Sequence, residues 1–131
     1  MILVVDTHAL VWYLEGSPKL GRVARRLLLD PTARVTVPTI VLAEARFLEE
    51  TGRTRVSWDE ILSALEADAR FTVFPLTLDV LRRMPKGTAL EMHDAIICAT
   101  GLLESELVTE DVSVITKDRR IVESGLLSTV W

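Results

Sequence analysis

The sequence has few of the features that mark secreted, membrane or fibrous proteins. One cysteine, Cys98, among 131 residues excludes an internal disulfide and a thiolate zinc cluster. No apolar run approaches the ~20 residues of a membrane span, and the N-terminal residues lack the basic segment and cleavage site of a signal peptide. Aromatic residues make up only 5%, so aliphatic side chains must build the core. These absences favour a cytoplasmic protein with no membrane contact.

The residues that are present are typical of a globular domain. Hydrophobic residues account for 49% of the chain and charged residues for 26%, which excludes a disordered or low-complexity protein. The length is near that of a typical domain, so we expect residues 1–131 to form a single domain. Fifteen Lys and Arg against 19 Asp and Glu give a net charge of −4. This charge argues mildly against a nonspecific nucleic-acid coat, but not against an enzyme with clustered carboxylates.

Short aliphatic segments alternate with helical patterns along the chain. Strands are predicted at 2–5, 34–37, 71–74, 112–116 and 128–130, and the first of them is typical of a parallel strand buried on both faces. Helices are predicted at 7–14, 20–29, 38–50, 57–69, 77–84, 91–104 and 119–123. The alternation predicts an α/β fold, a three-layer α/β/α sandwich around a mainly parallel central sheet.

Two acidic residues follow predicted strands. Asp6 comes directly after the first strand, and Asp118 comes shortly after the strand at 112–116. The carboxyl ends of parallel strands share one edge of the sheet, where α/β proteins build their sites, so we expect both carboxylates at that edge. For either residue alone, a helix N-cap is an equally good interpretation.

Two further carboxylates lie on predicted helices. Glu44 falls within an apolar stripe, flanked by Ile40, Phe47 and Leu48, so we expect its side chain to be buried. A buried carboxylate needs a cation, a hydrogen-bond network or a proton, and an ion pair with a buried arginine is an alternative to a metal. Asp94 lies near the start of a strongly apolar helix, where the helix dipole alone favours an acid.

Taken together, the four carboxylates indicate a metal site. Like charges gathered in one place raise each other's pKa unless a cation is present, and ligands that are all oxygen suit Mg²⁺ or Mn²⁺ rather than zinc. One or two such ions can activate a water and stabilise a leaving oxygen, which is the chemistry of phosphodiester hydrolysis. The candidate catalytic and metal-binding residues are therefore Asp6, Glu44, Asp94 and Asp118.

Each of these acids lies in a longer segment with a recognisable pattern. The segments are VVDTHALVW around Asp6, PTIVLAE ending at Glu44, MHDAIICAT around Asp94 and ITKDRRI around Asp118. In this order, over essentially the whole chain, they resemble the four acidic motifs of the PIN-domain ribonucleases, most closely the VapC-type toxins. The resemblance implies a PIN-like fold, a Mg²⁺- or Mn²⁺-dependent endoribonuclease acting on RNA, usually a homodimer, and a small antitoxin protein that blocks the active site.

The resemblance also implies roles for individual residues. Asp6 and Asp94 would be the principal metal ligands, Asp118 would complete the metal pocket, and Glu44 would help to position a metal or a water. Thr116 matches a hydroxyl that forms hydrogen bonds within the family's pocket.

Residues beside the acids are candidates for supporting roles. Thr7 and His93 adjoin proposed ligands and are candidates for orienting the ligands or the substrate. Three basic residues flank Asp118 and are candidates for contacts with RNA phosphates, namely Lys117, Arg119 and Arg120. The three tryptophans are better explained by packing than by stacking on bases.

The fourth acid has a rival earlier in the chain. The stretch between Asp94 and Asp118 is several residues longer than the family pattern, and its LVTED segment, ending at Asp111, mimics the VITKD that ends at Asp118. We favour Asp118, because Arg119 and Arg120 continue the pattern only from there. A longer helix or an enlarged loop would absorb the extra residues.

Two other classes of function remain open. A catalytically silent PIN-fold domain could act as a binding module, although four intact carboxylates argue against it. Another acidic-site phosphotransfer domain, such as a receiver or a phosphatase of the haloacid-dehalogenase type, is a further alternative. The phosphatase needs a second aspartate two residues after the first, where this sequence has His8.

Overall fold

The computed structural model describes residues 1–131 and contains five strands and seven helices. Along the chain they are β1 (Ile2–Val5), α1 (Thr7–Glu15), α2 (Arg22–Leu28), β2 (Arg34–Pro38), α3 (Thr39–Glu50), α4 (Trp58–Ala67), β3 (Phe71–Phe74), α5 (Leu78–Arg82), α6 (Met92–Leu107), β4 (Val112–Ile115), α7 (Arg119–Ser124) and β5 (Ser128–Val130). Every predicted element is present, with ends shifted by no more than three residues. None of the helices is both long and apolar enough to cross a bilayer.

The five strands form one sheet in the order β3-β2-β1-β4-β5. All four neighbouring pairs are parallel, so the sheet is wholly rather than mainly parallel. The central strand β1 pairs with β2 on one side and with β4 on the other. The order of connection reverses between β1 and β4, and the carboxyl ends of these two strands flank the switch point at which α/β sheets bind ligands.

Aliphatic side chains build the core, as the low aromatic content predicts. The four residues of β1 are completely buried, because helices cover both faces of the sheet. No Phe, Tyr or Trp is among the buried residues. The α/β/α sandwich predicted from the alternating pattern is confirmed.

Side-chain caps fix where several helices begin. Asp6 caps α1 by accepting the Ala9 N–H at 2.7 Å. Ser57 and Glu60 form the capping box of α4, with each side chain accepting the other residue's backbone N–H. Asp118 caps α7. Both acids are therefore helix N-caps, and the capping hydrogen bonds fix the positions of both carboxylates.

The face of α3 that carries Glu44 is only partly buried, and the expectation of a buried Glu44 is wrong. Ile40 and Leu48 pack against the core. The buried residues of α3 are Val41, Leu42 and Ala45, whereas Phe47 is 59% exposed and the Glu44 side chain is 30% exposed. The apolar stripe is real, but it also lines a surface groove. A helical pattern shows which residues share a face and does not show what covers that face.

The segment between Asp94 and Asp118 consists mainly of most of α6, a short connection at residues 108–111, and β4. The α6 helix runs to Leu107, three residues beyond its predicted end. Gly101 lies in its middle, where an added Cβ would come within 2.5 Å of the Leu127 Cδ1 and 3.6 Å of a Val4 methyl group. The absence of a side chain at this position lets the helix, the central strand and the chain before β5 pack closely together.

Gly101→Ala is expected to destabilise the protein by about 1 kcal/mol, because displacing the Leu127 side chain costs more than the helix propensity that alanine gains over glycine. The matched control is Ser105→Ala, one turn further along the same helix at an exposed position, where a change within about 0.5 kcal/mol is expected. Chemical denaturation measures both values. Equal stabilities for the two variants would show that Leu127 is free to move aside.

Candidate metal and catalytic site

A cavity of about 480 Å³ opens at the carboxyl edge of the sheet, beside the switch point between β1 and β4. Its lining consists of Asp6, Thr7, His8, Glu44, Glu91, Asp94, Ile97, Lys117, Asp118 and Arg119. We refer to it as the acidic cavity. All four carboxylates predicted from the sequence line it, together with Glu91, which the sequence interpretation missed.

Four different elements carry these carboxylates to one place. Asp6 and Asp118 follow the neighbouring strands β1 and β4, so both emerge at the same edge. The α3 helix leaves β2 at that edge and brings Glu44 along in its second turn. The α6 helix begins there, with Asp94 in its first turn and Glu91 as its N-cap residue. Glu91 precedes Asp94 by three residues, which places them one turn apart on the same side.

The rival acid Asp111 does not reach the cavity. It lies directly before β4, at the amino end of the sheet, where its carbonyl accepts the Ile2 N–H at 2.9 Å. Asp118 lies beyond the opposite end of the same strand. The two aspartates therefore lie at opposite ends of a single strand, and only Asp118 contributes to the acidic cavity.

Backbone N–H groups and a hydroxyl hold the acids on β1 and β4 in place. Asp118 Oδ1 accepts the N–H groups of Arg120 at 2.8 Å and Ile121 at 3.3 Å. The Asp118 N–H in turn donates to Thr116 Oγ1 at 3.0 Å. Capping uses Oδ1 of both Asp6 and Asp118, so capping a helix and binding a metal are compatible roles for each carboxylate.

The crowding of negative charge is strongest at Asp94. Burial raises the pKa of Asp94 to about 6, and the charges of Asp118, Glu44, Asp6 and Glu91 add to the rise. Burial also raises the pKa of Asp6, against the lowering effect of the Thr116 hydroxyl and the Ala9 N–H. A bound cation would relieve this repulsion.

The donors of the cavity fit a hard divalent cation. All of its acidic donors are oxygen, the type that Mg²⁺ and Mn²⁺ prefer. The Thr7 hydroxyl is buried and has no hydrogen-bond partner, although it lines the same cavity. No three His, Cys, Asp or Glu side chains form a ready-made direct ligand set. Mg²⁺ keeps several waters and binds proteins through one or two carboxylates, so the residues fit an ion that is held partly through water.

The remaining predicted residues surround the acids at different distances. His93 Nδ1 lies 3.5 Å from Glu44 Oε2 at the rim. Lys117 and Arg119 line the cavity, and Lys117 Nζ lies 4.5 Å from the centre of the Trp12 ring. Two of the basic residues are committed to ion pairs within the chain: Arg119 with Glu123 at 3.1 Å, and Arg120 with Glu91 at 2.7 Å.

An apolar groove of about 590 Å³ adjoins the acidic cavity. Its lining consists of Thr7, His8, Ile40, Ala43, Glu44, Phe47, Leu48, Arg53 and His93. Three of these residues, Thr7, His8 and Glu44, also line the acidic cavity. The only sequence signal for this groove is the apolar stripe of α3, which the sequence interpretation assigned to the core.

Comparisons with known proteins agree with this architecture. The family model described as PIN domain matches residues 3–124, while a search among curated proteins finds no significant match. Among solved structures, the chain is similar to VapBC2 from Rickettsia felis bound to a DNA fragment from its promoter, with 16% identity and a TM-score of 0.67 over 99% of this chain and 98% of that one.

Two further solved structures have nearly the same fold. A toxin–antitoxin complex from Klebsiella pneumoniae matches with 18% identity and a TM-score of 0.64 over 98% of this chain and 96% of that one. VapBC-1 from nontypeable Haemophilus influenzae matches with 19% identity and a TM-score of 0.65 over 99% and 97%. At identities this low, the structural matches show only a shared fold. The family model is independent support, because it matches almost the whole sequence. The chain belongs to the PIN domain family.

Proposed function

We propose that this protein is a metal-dependent endoribonuclease and the VapC-type toxin of a toxin–antitoxin pair. The observation that carries the proposal is the convergence of Asp6, Glu44, Asp94 and Asp118 on one cavity at the switch point of the sheet. Membership of the PIN family and the likeness to toxin–antitoxin complexes support it. The single nuclease domain would comprise residues 1–131, because strands from both ends of the chain join one sheet. The cytoplasm is the expected location.

The carboxylates would act as one ligand set. When bound, a Mg²⁺ or Mn²⁺ ion would activate a water and stabilise the leaving oxygen of the phosphodiester. Asp6, Asp94 and Asp118 would hold the ion, and their fixed positions would orient it against the scissile phosphate. Glu44, partly exposed at the rim, would orient the attacking water or a second ion. The unpartnered Thr7 hydroxyl would donate a hydrogen bond to a carboxylate or a bound water.

Basic residues at the rim would hold the substrate. Lys117 and Arg119 line the acidic cavity and would contact the phosphates next to the scissile bond. Arg119 would exchange its solvent-exposed ion pair with Glu123 for such a contact. Arg120 pairs with Glu91, so its role would be to restrain that carboxylate beside Asp94. His93 would position Glu44, since the two side chains lie within 3.5 Å.

The apolar groove supports an antitoxin that blocks the active site. It exposes large apolar side chains, including Phe47, and shares Glu44 with the acidic cavity. A partner segment with apolar residues in the groove and an arginine in the cavity would match both surfaces, because a guanidinium pairs with carboxylates in bidentate geometry. A homodimer is a separate prediction, for which the exposed apolar residues Val73, Leu76, Leu78 and Leu81 near the edge strand β3 are candidates.

Metal removal is expected to abolish cleavage of RNA. Purified protein, free of any partner, is incubated with total cellular RNA in Mg²⁺, in Mn²⁺ or in EDTA, and the fragments are separated by size. Discrete fragments are expected with either metal and none with EDTA. Cleavage that persists in EDTA would contradict the metal dependence. Intact RNA under every condition, with the protein folded, would favour the binding module instead of the nuclease.

A further inference from the structure

A second polar cavity lies on the other side of Trp12, at the carboxyl end of α1. It has a volume of about 540 Å³ and is lined by Trp12, Glu15, Gly16, Ser17, Pro18, Lys19, Gly52, Arg53, Thr54 and Arg55. We refer to it as the basic cleft. None of these residues lines the acidic cavity. The α1 turn after Gly16 forms one wall, and the loop between α3 and α4 forms the other.

The cations of the basic cleft are not held in ion pairs, although Lys19 Nζ lies 5.8 Å from the centre of the Trp12 ring. No ion pair of the protein includes Lys19, Arg53 or Arg55. All three are exposed, and no hydrogen bond in the chain comes from their side chains. The one carboxylate of the cleft, Glu15, accepts the Thr54 hydroxyl at 2.8 Å and the Arg55 backbone N–H at 3.0 Å. Glu15 thus ties the loop to α1 and leaves the guanidinium groups free for an external anion.

The local charge is opposite to that of the whole protein. Three cations against one carboxylate give the basic cleft a net charge of +2, whereas the chain as a whole carries −4. A polyanionic substrate is repelled by most of an acidic surface, so its affinity must come from places where unpaired cations are concentrated. The N–H groups of Gly16 and Ser17 do not add to this positive charge, because they donate to α1 carbonyls.

Trp12 joins the basic cleft to the acidic cavity. Its indole lines the cleft and packs against two residues that line the acidic cavity: His8, at 5.1 Å between ring centres, and Lys117, at 4.5 Å. Trp12 follows Asp6 by six residues, which corresponds to about 9 Å along a helix axis. Trp131 packs edge-on against Trp12 at 5.7 Å and holds the indole in place. A flexible polyanion lying in the cleft would therefore pass an aromatic wall and reach the carboxylates within a short distance.

We propose that the basic cleft binds the phosphates of single-stranded RNA whose scissile phosphate lies in the acidic cavity. This inference rests on the proposed nuclease function and adds the path of the substrate. Arg53 and Arg55 contact phosphates of the strand, Lys19 adds to the local positive charge, and Trp12 presents an apolar surface to a base or ribose between the two sites. Unstacked single strands are the form of RNA that aromatic side chains reach.

The test is a binding titration that needs no cleavage. Dye-labelled single-stranded RNA of mixed sequence is titrated with Asp94→Asn protein at several KCl concentrations, and fluorescence anisotropy gives the affinity. Arg53→Gln/Arg55→Gln is compared with the matched pair Arg22→Gln/Arg26→Gln on α2. The control arginines are exposed, form no ion pair and lie outside the cleft. Both pairs remove two positive charges, so general electrostatics affects them equally.

The cleft pair is expected to weaken RNA binding at least about tenfold and to reduce the slope of log affinity against log salt by about 1.4, the value for two phosphate contacts on a single strand. The control pair is expected to change the affinity less than about threefold. Arg22 and Arg26 line a separate cavity on α2 that contains neither Trp12 nor any other residue of the basic cleft or the acidic cavity, so only long-range charge is lost. Equal losses for the two pairs, or an unchanged affinity for the cleft pair, would overturn the proposal. An unchanged Tm checks that each variant is folded.

Two further comparisons separate the proposal from its alternatives. Poly-L-glutamate, used as an acidic polypeptide probe, is expected to bind weakly and without dependence on Arg53 and Arg55. If it binds as tightly as RNA and with the same dependence, the basic cleft is a surface for an acidic protein and the proposal fails. RNA binding through the cleft by the Asp94→Asn protein, with no cleavage by the wild-type protein, would refute the nuclease alone. Cleavage by the wild-type protein, with an RNA affinity that does not depend on Arg53 and Arg55, would refute the cleft alone.

Discussion

Asp118→Asn is expected to lower the rate of RNA cleavage at least about 1000-fold, whereas Asp111→Asn is expected to leave it within about twofold of the wild-type rate. The first substitution removes a carboxylate of the acidic cavity, and the second changes a residue at the opposite end of β4. Each removes one negative charge from a similar five-residue segment. The pair therefore tests the position of the acid rather than the total charge of the protein.

Asparagine is the informative replacement at this site because it preserves the fold. Asp118 accepts two backbone N–H groups at the start of α7, and asparagine is as good an N-cap as aspartate. The same argument covers Asp6, which caps α1. A loss of activity with an unchanged Tm would therefore reflect the missing charge and not an unfolded helix.

Substitutions at the other three carboxylates are expected to lower the cleavage rate in a defined order. Asp6→Asn and Asp94→Asn are expected to match Asp118→Asn, while Glu44→Gln is expected to cost only about 10- to 100-fold, as is usual for residues that orient ligands. Initial rates on one defined RNA fragment, measured by gel with saturating Mg²⁺, give the order. Full activity in Asp118→Asn together with loss of activity in Asp111→Asn would show that Asp111 is the fourth acid, and this result would contradict the proposed site.

The positions of the principal acids were predictable from sequence because they depend on local patterns. An aliphatic run of four residues marks β1 as a buried parallel strand, so Asp6 must emerge at the carboxyl edge. The same reasoning places Asp118 after β4 and Asp111 before it. These conclusions need only the direction of parallel strands, which the alternation of strands and helices already determines.

The surroundings of the acids were not predictable in this way, because they depend on contacts between distant segments. The apolar stripe beside Glu44 packs against the core through Ile40 and Leu48 but also lines a groove, since no element covers Phe47. The basic cleft combines the end of α1 with a loop about 40 residues later, held together by the hydrogen bonds of Glu15. Nothing in the local sequence of either segment indicates that the two will meet.

Asp94→Asn is expected to make the metal-free protein more stable while it abolishes cleavage. Asp94 has a pKa of about 6 in the folded protein, raised by burial and by neighbouring carboxylates from an ordinary value of 3.8. The folded protein therefore binds this proton more tightly than the unfolded chain does. Above pH 6 the ionised carboxylate costs stability, and the cost disappears as the pH falls from about 6 to 3.8.

The size of the gain is limited by two opposing effects. Asp94 is only partly buried, so solvent screening reduces the repulsion that its shifted pKa reflects. Its place in the first turn of α6 is favourable to a negative charge, which the substitution also removes. A net gain of about 1 kcal/mol at pH 7.5 in EDTA is expected, or about 3–5 °C in Tm for a chain of this length. The gain is expected to vanish near pH 4.

Thermal unfolding of wild-type and variant proteins at several pH values, in EDTA and in Mg²⁺, measures these effects. The matched control is Asp59→Asn, which removes an exposed acid from the first turn of α4 without relieving any crowding. It is expected to lower Tm slightly at every pH above 5. Mg²⁺ is expected to stabilise the wild-type protein, by about 2.7 kcal/mol at 100 times the Kd, and to leave Asp94→Asn nearly unchanged. A variant that is less stable than the wild type in EDTA would show that Asp94 does not share the repulsion in the acidic cavity. A variant that Mg²⁺ stabilises as much as the wild type would show that Asp94 does not bind the ion. Carboxylates crowded into one cavity lower the stability of the metal-free protein, and a bound cation restores it. This loss of stability is expected where a site is selected for metal chemistry rather than for stability.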